Sequence, residues 1–391
     1  MELLKELTGL FAIDWQTVVM LLIAGVLLYL GISRKVEPVL LVPIGTGVLL
    51  TNIPLSGLLE MGKDGAVLAE GVGLFALLKQ FGIATELFPL LIFIGIGAMI
   101  DFGPFLQRPY TIFLGAAAQF GIFGTFFLVY WLGQGGLGLL PFDAYQAASI
   151  GIIGSADGPT SIYVSSILAP ALMPAIAVAA YSYMALVPII QPPIMKLMTT
   201  VAERKVRMTT SAADIPQRVK IIFPIATILV IGFLAPKATP LIGALMFGNL
   251  LRESGVVEQL SATAQNELAN IVTILLGFTI GGMMTGAEFL QPWTIAIFIM
   301  GIVAFVLDTA GGLLLGKIMY VLSGKKVNPL IGAAGISAFP MSARVVQKVG
   351  LEADPYNHLL MHAAGANTAG QIASVTAGGA ILVLIPRFFG G

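Results

Sequence analysis

Long, nearly charge-free apolar runs recur along the whole 391-residue chain, and they constrain its fold more than any other feature. They fall near 15–32, 38–50, 87–101, 110–132 and 174–192, then near 219–235, 239–251, 268–285, 293–315 and 356–385. The runs are continuous rather than alternating, which specifies helices spanning a bilayer and argues against a barrel. Only 10% of the residues are charged, against about a quarter in soluble domains. Lys+Arg and Asp+Glu balance at 20 each, so bulk charge offers nothing to a nucleic acid. Cysteine is absent, which excludes disulfides, thiolate metal sites and cysteine nucleophiles. The first run follows Glu2, Lys5, Glu6 and Asp14 rather than a basic segment, so no cleavable signal is expected.

Two stretches break the pattern. Residues 144–170 and 328–350 are punctuated by Gly, Pro and Ser and are too interrupted for one straight helix. Each lies between the fourth and fifth runs of its set. GAMIDFGPFLQ (97–107) aligns without gaps to GGMMTGAEFLQ (281–291), and GIIGSADGPTSIYV (151–164) to GAAGISAFPMSARV (332–345). The offsets, 184 and 181, are similar and the order is the same, which points to duplication.

The expected organisation is a first repeat over 1–195, a basic cytoplasmic linker over 196–218 and a second repeat over 219–391. Arg34/Lys35, Arg108, Arg252, Lys317, Lys325, Lys326 and the 196–220 segment all fall inside if both interrupted stretches are re-entrant hairpins. Lys63, Lys79 and Lys237 then fall outside, as do both termini. Equivalent elements run in opposite directions, so the repeats are inverted. The expected fold is an all-α polytopic membrane protein with about five transmembrane helices and one broken hairpin per repeat.

Inverted repeats with facing broken helices are a transporter architecture, with the ion site at the breaks. Asp157 sits at the first break, in GSADGPTS (154–161), and is the sole charge between 147 and 167. A carboxylate at membrane depth costs ~2.5–3.5 kcal/mol on insertion scales. It reads as the anionic ligand of a Na+ site built with Ser155, Thr160, Ser161 and backbone carbonyls, all hard oxygen donors. The competing reading is a cap on the half-helix that begins at Pro159.

The second break has Ala338 in the place of Asp157 and offers Asn328, Ser337, Ser342 and Arg344. Arg344 reads as a fixed cation for a carboxylate, or as a side chain snorkelling to the interface. The following spans carry Tyr181, Ser182 and Tyr183, then His362, Asn367, Thr368 and Gln371. Asn367 lies among small residues and reads as an ion ligand or as helix–helix glue. Asp308, alone in mid-span, reads as a proton relay or a bond to a neighbouring helix. His358 and His362 have metal-like spacing, but packing or interfacial histidines fit better in a stretch poor in acids. No phosphate-binding glycine loop for ATP is present.

GSADGPTS with SYMALVPIIQPP, NPLIGAAGISAFPMSARV and GANTAGQ resembles the β subunit of the sodium-pumping biotin-dependent decarboxylases. The likeness covers essentially the whole chain, with Ser155 standing where glycine is common. It implies a membrane translocase that takes carboxybiotin from a carrier subunit, decarboxylates it, and couples this to Na+ export and proton consumption. It implies catalytic Asp157, Tyr183 and Arg344, carboxybiotin binding by Asn328, Gly332, Ser337 and Arg344, and Na+ held by Asp157, Ser337 and Asn367. The implied partners are a biotin carrier, a carboxyltransferase and a small membrane subunit, in a bacterial cytoplasmic (inner) membrane. A homo-oligomer is expected, and no cofactor bound covalently to this chain. From the residues alone, a stand-alone Na+-coupled carboxylate transporter of elevator type fits the same hairpins.

Overall fold

The computed structural model describes residues 9–61, 71–209 and 214–390; Lys63 and linker residues 210–213 lie outside them. Every regular element among the described residues is helical. Among the described residues six helices are long and apolar enough to cross a membrane: α1 (Trp15–Ile32), α4 (Thr111–Leu132), α7 (Met173–Met198), α8 (Gln217–Leu234), α11 (Pro292–Leu322) and α13 (Leu360–Phe389). The count rises to seven when a pair bent by 59°, Leu74–Ala84 followed by α3 (Leu87–Met99), is taken as one broken span. The other three expected spans are short: α2 (Pro38–Thr51), α9 (Thr239–Glu253) and α10 (Ala269–Gly282). At about 1.5 Å per residue, a 14-residue helix rises about 21 Å, less than the ~30 Å of hydrocarbon.

The short helices pair where side chains vanish. α2 lies on α10, and a Cβ added to Gly47 would stand 2.4 Å from the Phe278 carbonyl oxygen, while one on Gly281 would stand 2.0 Å from that of Ile44. α3 lies on α9 in the same way, with Gly97 facing Leu245 and Gly248 facing Ile94. With lipid as apolar as leucine, backbone approach of this kind is what holds membrane helices together. Outer helices show the converse: α8 presents Ile222, Leu229, Val230, Phe233 and Leu234 outward.

Both interrupted stretches form broken helices. In the first, α5 (Ala144–Gly151) tightens into a 3-10 turn, Ile152–Ser155, and α6 (Gly158–Leu168) restarts after the break. In the second, a 3-10 segment, Pro329–Gly335, leads through an unwound turn to α12 (Met341–Ala353). Residues 147–165 and 328–338 are buried without interruption. The breaks touch: the Ser337 N–H donates to the Ser155 carbonyl at 2.9 Å.

The linker is folded onto one end of the bundle. Arg108 donates to the Thr209 carbonyl at 2.9 Å, Lys317 to that of Met198 at 3.0 Å, and Arg207 pairs with Asp354 at 2.6 Å. Lys220 and Arg252 meet at Glu253 nearby.

Candidate functional site

Asp157 is the residue before α6, in extended backbone (φ −124°, ψ 96°), and follows Ala156, which adopts a left-handed φ of +52°. A non-glycine residue there marks a turn held by its surroundings. Asp157 is 3% exposed. Its Oδ1 accepts from the Thr160 N–H at 3.3 Å, and its Oδ2 accepts from the Thr160 hydroxyl at 2.7 Å and the Ser374 hydroxyl at 3.0 Å. Capping and a hard-oxygen cluster therefore coexist at one carboxylate. Thr160 was foreseen as a neighbour; Ser374, on α13, was not.

The second break supplies the facing wall. Ser337 Oγ donates to the Gly370 carbonyl at 2.8 Å, which leaves its lone pairs free to accept or to coordinate. On α13, Asn367 Nδ2 donates to the Ile336 carbonyl at 2.7 Å and Gln371 Nε2 to the Ser337 carbonyl. The amide oxygens of Asn367 and Gln371 are both buried without a hydrogen-bond partner.

A cavity of about 330 Å³ opens between the two breaks. Asp157, Gly158, Ser337, Pro340, Tyr181 and Gln371 line one side of it. Leu40 of α2, Ile92 and Ile96 of α3, and Ala269 and Thr273 of α10 form the other. The site therefore lies where the hairpin-bearing core meets the short glycine-paired helices. Its lining is mostly apolar with a few polar groups (Asp157, Ser337, Gln371, Tyr181 and Thr273), the usual composition of a small-ligand pocket.

The remaining expected residues are placed differently. The Tyr183 hydroxyl donates to the Phe298 carbonyl on α11 and its ring lies against Gly301, away from the cavity. Tyr181, two residues earlier, is the tyrosine that lines it. Arg344 stands on the exposed face of α12, its N–H 3.4 Å from the Pro340 carbonyl. Asn328 is buried with both amide ends used: Nδ2 donates to the carbonyls of Arg204 (3.0 Å) and Val206 (2.8 Å), and Oδ1 accepts from the Leu330 N–H at 2.9 Å. Gly332 lies against the α11 backbone, where a Cβ would come within 2.0 Å of the Gly312 carbonyl oxygen.

Asp308 is fully buried on α11, its carboxyl group set against the backbone of Gly121 and Ile122 on α4. His362 is buried, whereas His358 is exposed. Asp101 and Glu288 are exposed, as expected for interfacial acids.

Comparison with known proteins gives a consistent picture. A family model described as Na+-transporting oxaloacetate decarboxylase beta subunit matches residues 16–385. The oxaloacetate decarboxylase beta chain of Haemophilus ducreyi is 48% identical, over 96% of this chain and 97% of that one. The methylmalonyl-CoA decarboxylase subunit beta of Propionigenium modestum is 50% identical over 96% and 97%. That of Veillonella parvula is 49% identical over 97% and 95%.

Proposed function

Because the chain belongs to the family of Na+-transporting oxaloacetate decarboxylase beta subunits, we propose that carboxybiotin loses its CO2 in the cavity beside Asp157, and that this step drives Na+ outward. The observation that carries the reading is the cavity itself: a buried carboxylate, Ser337 and the Gln371 amide line one mainly apolar chamber shared by both hairpin breaks.

Carboxybiotin is an N-carboxylate. Its N–C bond breaks, CO2 leaves, and the electron pair stays on the ureido nitrogen, which takes up one proton. Asp157 is the acid that lines the cavity, so it delivers that proton. The apolar walls keep water from the reacting carboxylate. Once deprotonated, Asp157 is the anionic ligand for Na+, with Asn367 and Ser337 adding neutral oxygens. A proton arriving later at the same carboxylate displaces the ion. Exclusive occupancy by proton or Na+ is the coupling.

Arg344, on the exposed face beyond Pro340, meets the incoming carboxylate before it reaches the cavity. Asn328 and Gly332 hold the second hairpin against the linker and α11, and Tyr183 fastens α7 to α11. The carboxylate is presented by a biotin carrier subunit, loaded by a carboxyltransferase, in a complex completed by a small membrane subunit. The chain sits in a bacterial cytoplasmic membrane with the linker inside, as part of a homo-oligomer.

Two inverted repeats, 1–195 and 219–391, give alternating access. Three observations support the duplication. The second span of each half packs on the third span of the other through glycine, α2 on α10 and α9 on α3. A π-helical turn precedes α3 at Lys79–Ala84 and α10 at Ala264–Leu268, close to the offset read from sequence. Gly154 and Gly335, equivalent in the alignment, each approach the long helix of the opposite half, at Ala304 and Leu114.

The test is CO2 release by the purified complex across a Na+ titration. Wild type is expected to depend on Na+ and Asp157→Asn to be inactive. Near-normal Na+-dependent release by Asp157→Asn would overturn the reading.

A further inference from the structure

The amide of Gln371 is held in one orientation. Its Nε2 donates to the Ser337 carbonyl, and one turn earlier Asn367 Nδ2 donates to the preceding carbonyl, that of Ile336, at 2.7 Å. Turning either amide over would set oxygen against oxygen, so the two NH2 groups are committed to the unwound backbone of the second hairpin. The two amide oxygens are left buried on the same face of α13 with no hydrogen-bond partner. Native structures rarely leave such atoms unpaired without a ligand or water to meet them. Ser374 continues the same face and bonds Asp157. Gln371 is 4% exposed, and of the two amides it is the one that lines the cavity together with Asp157 and Ser337.

We propose that Gln371 Oε1 is a ligand of the transported Na+, so that the ion binds Asp157 of the first hairpin and, through this amide, the break of the second. The assignment rests on the reading of Asp157 as the ion's carboxylate. A neutral amide oxygen is a hard donor suited to an alkali cation. It adds no charge, so the site keeps the single negative charge that one Na+ neutralises. The same amide holds the Ser337 carbonyl, so binding of the ion stiffens the junction of α13 with the second break.

The test is thermal unfolding of the purified intact complex across a NaCl titration, with choline chloride holding ionic strength constant. Gln371→Met removes both amide atoms at similar length, and Gln371→Glu keeps an oxygen but loses the NH2 group. Met is expected to raise the Na+ concentration for half-maximal stabilisation by about tenfold or more, and Glu to stay within about threefold of wild type. Equal impairment of both variants would reduce Gln371 to a clamp on Ser337 and overturn the proposal; wild-type behaviour of Met would also overturn it. Should Met fail to assemble, Gln371→Asn draws the oxygen back by one methylene, and an unchanged Na+ requirement there overturns it equally. Asp157→Asn separates the layers. If that variant keeps wild-type stabilisation by Na+, the reading of Asp157 fails and this one with it. If it loses stabilisation while Gln371→Met does not, only the Gln371 assignment fails.

Discussion

Ser374 and Asp157 lie 217 positions apart, yet the serine hydroxyl donates to the aspartate Oδ2 at 3.0 Å, tying the last long helix to the first hairpin break. The bond places the carboxylate at the junction of two elements that the proposed transport cycle must keep in register. Ser374→Ala is expected to leave the fold intact, at a cost of about 1–2 kcal/mol, while raising the Na+ concentration needed for half-maximal CO2 release severalfold. A Na+ titration of the variant complex measures this; an unchanged titration would make the bond structural only.

Gly158 is the second tight point of the site. A Cβ there would fall 2.2 Å from the Tyr181 ring, which lines the cavity. Gly158→Ala is therefore expected to push Tyr181 into the chamber and to suppress decarboxylation by at least about tenfold. Membrane levels should stay near wild type, because a ring beside a cavity has room to move. Activity per unit of purified complex, compared with its amount in the membrane, separates the two effects.

The glycine-paired helices behave differently, since their neighbours are backbone. A Cβ at Gly97 would lie 1.8 Å from the Leu245 carbonyl oxygen, whereas one at Gly25 on α1 meets nothing within 4 Å. Gly97→Ala is expected to lower stability by about 1–3 kcal/mol or more, and Gly25→Ala to be neutral. Thermal unfolding of both variants in detergent checks the contrast.

The docked linker gives a pH prediction. The hydrogen bond from Arg207 holds the Asp354 carboxyl below its usual range, helped by the Tyr356 N–H. A carboxylate depressed in the folded protein stabilises it at pH above the unfolded value, here 3.8, and that contribution is lost as pH falls through the lower folded value. Docking of the linker should thus be flat between about pH 5 and 8. Asp354→Asn should expose the linker at neutral pH. Limited proteolysis within 199–216 reads both; cleavage of the wild type that increases between pH 8 and 5 would contradict the assignment.

Much of the fold was legible because lipid imposes a simple rule: long apolar runs become helices. The hairpin breaks were legible for the same reason, since glycine and proline interrupt helices by known means. Asp157 stood out as a lone charge, and Asn367 as a polar residue among small ones. What the sequence could not show was which of the expected residues line the cavity, because periodicity does not show which side of an all-apolar helix faces inward. Tyr181 and Tyr183 both lie on α7, and nothing in the sequence says that the first faces the cavity while the second turns to Phe298. Asn328 looked like a site residue because it is polar and begins the second hairpin, but its amide is spent on the linker backbone, a tertiary contact with Arg204 and Val206. Ser374 could have been found: it lies three positions beyond Gln371 and seven beyond Asn367, on one helical face.

Radioactive sodium uptake into vesicles holding the reconstituted complex, driven by its carboxylated substrate, tests the coupling at Asp157 most directly. The predicted result is uptake that rises in step with CO2 release in the wild type and disappears together with it in Asp157→Asn. Uptake or Na+-dependent CO2 release at near wild-type rates in Asp157→Asn would contradict it.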